Sequence, residues 1–187
     1  MFINGNCVLD GPFANLNVAY FNDKYYPHCL ERGFANDNGP GLFSGDAFHP
    51  GSVQQTLRQQ DFFNFSKSLE YGAHNGLPGG VGGEFRAYSA PNGRSILAPN
   101  HKQALRLDKL IRFVDPVFYL HHTQLDRIWW QWQSANPSRL TEYNGPKAVG
   151  SASPASLQDV LIMLNLADDV LVAQIMDTES DLLCYTY

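Results

Sequence analysis

The sequence has no CxxC pair, no run of basic residues, no apolar stretch long enough to cross a bilayer, and no two histidines four residues apart. Each absence removes a class of function. The thirteen lysines and arginines are scattered through 187 residues of net charge −5. No stripe offers itself to a phosphate backbone, so nucleic acid is not the expected partner. The longest apolar run, Val160 to Leu164, falls far short of the roughly 20 residues of a membrane helix. The first residues lack the basic start and apolar core of a secretory signal. The chain reads as soluble and unexported, with no membrane partner. Its three cysteines, Cys7, Cys29 and Cys184, are an odd number. Either all three are reduced, or Cys7 or Cys29 bridges to Cys184. There are no internal repeats and no low-complexity tracts.

What is present suits one globular domain over residues 1–187, because 44% apolar and 13% aromatic residues can bury a sizeable core. Gly, Pro and Asn punctuate Met1 to Gly51 every few positions, which predicts mostly loop with short extended pieces. Ser52 and Gln55 form a capping-box pattern, and Val53, Leu57, Phe62, Phe63, Phe65 and Leu69 continue an apolar period to about Tyr71. That predicts one helix leading into His74. Gly79 to Gly83 is expected to be irregular, and residues 104–113 to form a short basic helix. After turn-rich residues 134–155, Ser156 to Asp159 predicts a last helix with Leu157, Val160, Leu161 and Leu164 as its buried stripe. The tail from Val170 alternates weakly and predicts a hairpin around Asp177 to Asp181.

The most informative stretch is DPVFYLHHTQLDRIWWQWQ, Asp115 to Gln133. Asp115-Pro116 reads as a helix start, since proline is tolerated in a first turn. His122, Asp126, Trp129 and Trp130 then recur at spacings of three, four and seven, which puts an imidazole and a carboxylate on one face with indole rings. An isolated histidine there would be ordinary core. The stretch as a whole, however, closely resembles the second copper-binding motif, copper B, of tyrosinases, catechol oxidases and related type 3 copper proteins. CVLDGPFANLNV, PHCLERGF, SLEYGAHNGLPGGVGG and the final LLCYTY resemble fungal tyrosinase-like proteins in the same order. Tyr185 and Tyr187 match the Tyr-x-Tyr pair that closes the family's catalytic core. The resemblance implies a mainly α fold: part of a tyrosinase-type dicopper helical bundle, with long irregular loops and a short C-terminal hairpin. It covers the copper B half only, because the copper A half that precedes such a segment in the family is absent from this sequence.

By resemblance, the activity is O2-dependent oxidation of phenols or o-diphenols to quinones at two coppers, each held by three imidazoles. The implied cofactor is copper, and the implied small molecules are phenolic or catecholic substrates and O2. This chain has six histidines, at 28, 49, 74, 101, 121 and 122, but no H-x-x-x-H pair to place two on one helical face. Aligned on Gly82-Gly83, His74 matches the first copper B ligand, His122 the third, and Pro78 stands where the second should be. Proline offers no metal-binding atom and costs about 3 kcal/mol inside a helix, so a helix break is expected there. His121 is the remaining metal-site candidate; in the family it more often makes a supporting hydrogen bond, with Asp126 and Arg127 bracing the helix. Asn75 matches a position that helps orient a water in some relatives.

Residues 86–114 read as an insertion, either a lid or translated intron sequence, where relatives have a short loop. His101 lies inside it as a candidate replacement ligand. His28 in PHCL reads as structural, His49 before Pro50 as helix-start punctuation, and Trp129, Trp130 and Trp132 as core. Three functional readings follow. The first is a tyrosinase-like copper oxidoreductase, impaired by the missing ligand and the missing copper A, that binds at most one copper. The second is a non-catalytic remnant or interaction module. The third is a half-enzyme completed by a copper A partner chain; an apolar face beside His122 would favour it.

Overall fold

The computed structural model describes residues 5–21, 24–36, 39–40, 44–87, 115–148, 150–163 and 166–187. The described fold is mainly helical. Its α-helices are α1 (Pro50–Leu57), α2 (Phe62–Leu69), α3 (Asn75–Val81), α4 (Gly83–Ala87) and α5 (Val117–Ser134). Its strands are short: β1 (Asn6–Cys7), β2 (Asn17–Phe21), β3 (Lys24–Cys29), β4 (Glu31–Arg32), β5 (Ala35–Asn36), β6 (Gly39–Pro40), β7 (Val160–Leu161) and β8 (Val170–Leu171). They form four antiparallel pairs, β1-β4, β2-β3, β5-β6 and β7-β8. The chain divides into two compact units, Met1–His49 with Tyr71–Thr123, and Pro50–Glu70 with Gln124–Tyr187. No helix among the described residues is long and apolar enough to cross a membrane.

In the first unit, the extended pieces expected among the loops pair into ribbons, so the segment is more ordered than its punctuation suggests. Pairing of β1 with β4 brings Cys7 opposite Glu31, two residues past Cys29. The Cys7 and Cys29 Cα atoms are then 5.5 Å apart and the two residues form a disulfide, within the ordinary range for such a bond. This corrects both expectations, three reduced cysteines and a bridge to Cys184, which is an exposed free thiol.

A second correction concerns Pro78, which lies inside α3 without ending it. His74, in αR conformation, ends a π-helical turn, Glu70–His74, that runs directly into α3, and the backbone bond that Pro78 gives up is the one to the His74 carbonyl. Only that one bond is forfeited. Gly79 and Gly80 are helical too; the irregularity is confined to Gly82 and Gly83, with φ of 66° and 55°. At Gly83 a Cβ would come within 1.9 Å of the Glu31 carbonyl oxygen. Glycine alone lets α4 begin against β4. The close approach is sealed by Gly33 and Phe34 N–H groups donating to the Val81 carbonyl at 2.8 and 3.0 Å. Val81, Phe85 and Phe118 form the buried core here, with Leu77 and Val117 against it.

In the second unit, the single helix expected over 52–71 is two. Asp61, in extended conformation, caps α2 by accepting from the Asn64 N–H at 2.9 Å, and Glu142 and Asn144 side chains accept from Phe62 and Phe63. Trp132, Phe65 and Ile128 are buried together, with Val53, Leu57, Phe62, Leu69 and Trp129 around them. Trp132 donates to the Gln59 carbonyl at 2.8 Å, in the break between the helices. Trp132 and Trp129 belong to this core as expected, whereas Trp130 does not and meets the Tyr187 ring instead.

The helix expected from Ser156 does not form. Asp159 turns its carboxylate back onto the Ser156 N–H. The Leu157 and Asp159 carbonyls accept from Ala173 and Val172, which takes the acceptors a helix would have used. The segment runs instead into β7, which pairs with β8. The tail therefore pairs backward rather than folding into a hairpin around Asp177 to Asp181, where there are turns.

Candidate metal centre

The site is built where the chain enters α3 and where α5 begins. Asp115 starts α5: its Oδ1 accepts from the Val117 N–H at 3.0 Å and its carbonyl from the Phe118 N–H at 3.0 Å, the bonds expected of a helix-capping acid. Asp115 is fully buried and Arg32 of β4 grips it. With that start fixed, helical periodicity carries Phe118 and His122 to one face, one turn apart.

The rings of His74, His121 and His122, the three metal-site candidates, lie near one another. The ring centroids of His74 and His122 are 5.4 Å apart, those of His74 and His121 5.7 Å, and those of His121 and His122 5.1 Å. Two imidazoles bonded to one metal at about 2 Å would place their centroids roughly 4.5–6.5 Å apart. The spacing between His74 and His122 fits.

The hydrogen bonds set which nitrogen faces outward from each ring. His122 Nδ1 donates to the Phe118 carbonyl at 2.9 Å, and His74 Nδ1 is 3.2 Å from Asn75 Oδ1. In both rings that places the lone pair on Nε2, the arrangement by which a neighbouring acceptor prepares a histidine for a metal. His121 differs. Its Nε2 donates to the His74 carbonyl at 3.2 Å, its side chain is buried, and Phe85 meets it edge to face at 5.8 Å. Burial, with His122 and His74 nearby, pulls its pKa down to about 4. His121 is neutral near pH 7.

A second cluster forms around Glu84 of α4, a residue not singled out from sequence. Glu84, fully buried, accepts from His28 Nε2 at 2.8 Å and from the Glu31 N–H at 2.6 Å. Burial disfavours a charged His28, but the Tyr26 carbonyl and the Glu84 carboxylate outweigh it and raise its pKa above 6.5. His28 is structural, as expected. His49 follows a short 3-10 turn, Asp46–Phe48, directly before α1. Asp126 lies four residues beyond His122 and accepts from both Tyr185 and Tyr187 hydroxyls, at 2.6 and 2.8 Å. His101 and nearly all of residues 86–114 lie outside the described residues. Among the described residues, no group of three or more His, Cys, Asp or Glu could hold a metal ion.

Residues 2–135 match the family model for the common central domain of tyrosinase. The chain belongs to the tyrosinase family. Tyrosinase ustQ of Aspergillus flavus is 39% identical over 184 residues, covering 98% of this chain and 45% of that protein. Tyrosinase-like protein phomQ2 of Diaporthe leptostromiformis is 36% identical over 185 residues, covering 98% of this chain and 42% of its own length. A solved polyphenol oxidase from Thermothelomyces thermophila superposes with a TM-score of 0.67 at 25% identity, over 98% of this chain and 51% of that one. This tyrosinase-family chain thus spans about half the length of these relatives. Copper is the metal that membership of this family implies.

Proposed function

We propose that His74 and His122 hold one copper ion, as the first and third ligands of the family's copper B site, in an oxidoreductase of tyrosinase type. The observation that carries this is the 5.4 Å pairing of their rings with both Nδ1 atoms engaged by neighbouring acceptors. Imidazole nitrogen is a fitting donor for copper. Bound there, copper would supply redox chemistry toward O2 and a phenol or o-diphenol, the substrate class of the family.

The chain's own residues do the holding. Phe118 packs on the His122 ring at 4.0 Å between centroids, which fixes its tilt. Phe85 covers His121, keeping water from that side. Pro78, in the place of the middle ligand, contributes no donor atom.

With two imidazoles presented, the isolated chain is expected to take up at most one copper and to be impaired in the two-copper chemistry of its family. Tyr119 and Leu120 of α5, directly before the histidine pair, are 59% and 64% exposed. This apolar surface favours the reading in which a copper A half, from a longer polypeptide or a partner chain, completes the enzyme. It weighs against a free-standing remnant.

Copper content after anaerobic loading, together with oxygen uptake on a catechol, tests the proposal. One copper or fewer per chain, lost in His74→Ala and in His122→Ala, with no uptake by the chain alone, is the expected result. Two coppers per chain, or vigorous uptake without a copper A half, would overturn it.

A further inference from the structure

Two features around His74 belong to one device. In a regular helix the His74 carbonyl would accept from the backbone N–H at position 78. Position 78 is proline and has no N–H. The same oxygen accepts from His121 Nε2 of α5 at 3.2 Å. We infer that Pro78 and His121 act as a pair, the proline withholding the helical donor and His121 supplying the bond in its place, so that His121 is a positioning residue that sets the His74 ring against His122.

This rests on the proposed role of His74 and His122 and adds what holds them at a working distance when the middle ligand is missing. In the family's pattern, a second histidine one turn along would share the metal and thereby steady the first. Here a hydrogen bond from α5 to the backbone of His74 takes over that part. The bond reaches the residue whose ring must be aimed, rather than a neighbour. His121 suits the task because it sits against Phe85 and beside both rings, where its donor has a single direction.

Two readouts test the pair. The first is Cu(I) affinity, measured by competition with a chromophoric chelator, for wild type, His121→Gln, His121→Phe and Pro78→Ala. Glutamine keeps a donor of similar reach and is expected to stay within about threefold of wild type, whereas phenylalanine keeps the bulk without the bond and is expected to lose about tenfold to a hundredfold, as supporting residues at metal sites do. Pro78→Ala returns the competing N–H and is expected to weaken binding several-fold. Its effect and that of His121→Phe should not add, because both act on one bond.

The second readout uses metal-free protein: long-range nitrogen–proton NMR of the imidazoles. His74 is expected to give one sharp, Nδ1-protonated set in wild type and His121→Gln, and an averaged set in His121→Phe. If wild type takes up no copper, the metal proposal falls and this second readout decides the pairing by itself. Equal affinities in wild type and His121→Phe, equal losses in His121→Gln and His121→Phe, or a His74 signal indifferent to residue 121, would each overturn the inference. Should His121→Phe fail to fold, an unchanged affinity and an unchanged His74 signal in Pro78→Ala would do the same.

Discussion

Arg32 grips Asp115 with two parallel hydrogen bonds, Nε to Oδ2 at 2.9 Å and Nη2 to Oδ1 at 2.8 Å. The carboxylate is fully buried and also caps α5, so one side chain joins β4 to the helix that carries His122. Asp115→Ala leaves the guanidinium without its partner and is expected to destabilise the fold by about 3–5 kcal/mol. Asp115→Asn keeps the cap and should lose less. Denaturant unfolding of both variants measures the difference, and equal losses would mean that the ion pair, not the cap, dominates.

Pro78→His should strengthen copper binding. The new N–H competes for the His74 carbonyl, at a cost near 1 kcal/mol for a typical hydrogen bond. The added imidazole, one turn from His74, is worth about 2 kcal/mol or more when the binding energy of a four-ligand site is shared among its ligands. The gain should win. Catechol oxidation by the variant alone is still expected to be undetectable, since a second metal is missing rather than affinity. Chelator competition reads the first half of this prediction and oxygen uptake the second.

Stability should depend on pH through His28. Its folded pKa is raised above 6.5 by the Tyr26 carbonyl and by Glu84, with Glu31 adding to the attraction and burial opposing it. The folded state therefore holds the proton more tightly than the unfolded one. The contribution is complete below about pH 6.5 and is lost as pH climbs through the raised value. Urea midpoints of wild type and His28→Gln, compared at pH 5.5, 7 and 8.5, should converge as pH rises. A constant gap would assign the shift to another group.

Trp132 stacks on Phe65 with centroids 4.7 Å apart, and the Arg139 guanidinium lies over its ring at 4.3 Å. Trp132→Ala is expected to cost about 3–5 kcal/mol. Combined with Phe65→Ala, the loss should fall short of the sum, because the two rings share one cavity. Thermal or chemical unfolding of the three variants provides the cycle.

The parts of this molecule legible from sequence were those that local chemistry specifies. Asp115-Pro116 marked the start of α5, the spacing of His122, Asp126, Trp129 and Trp130 marked one of its faces, and the copper B resemblance paired His74 with His122 across 48 positions. Pairings set by tertiary context were not legible. The partner of Cys7 depended on the β1-β4 register, and the buried Glu84 takes His28 from 56 positions away. At Pro78, propensity argued for a break, but the residue sits where only one helical bond is at stake. In Ser156 to Leu164, the apolar period was outvoted by an aspartate that closes a turn and by carbonyls already engaged with residues 172 and 173.

The Cys7–Cys29 bridge also determines how the first unit carries mechanical load. The 22-residue separation corresponds to a contour of about 75 Å when drawn out, yet the bridge pins its ends with Cα atoms 5.5 Å apart. Tension applied across this segment passes through a covalent bond and bypasses the β2-β3 ribbon, whose hydrogen bonds stay unloaded. Reducing the bridge puts that ribbon in series with the pull and adds about 70 Å of slack, a step long enough to count in a single-molecule stretching trace.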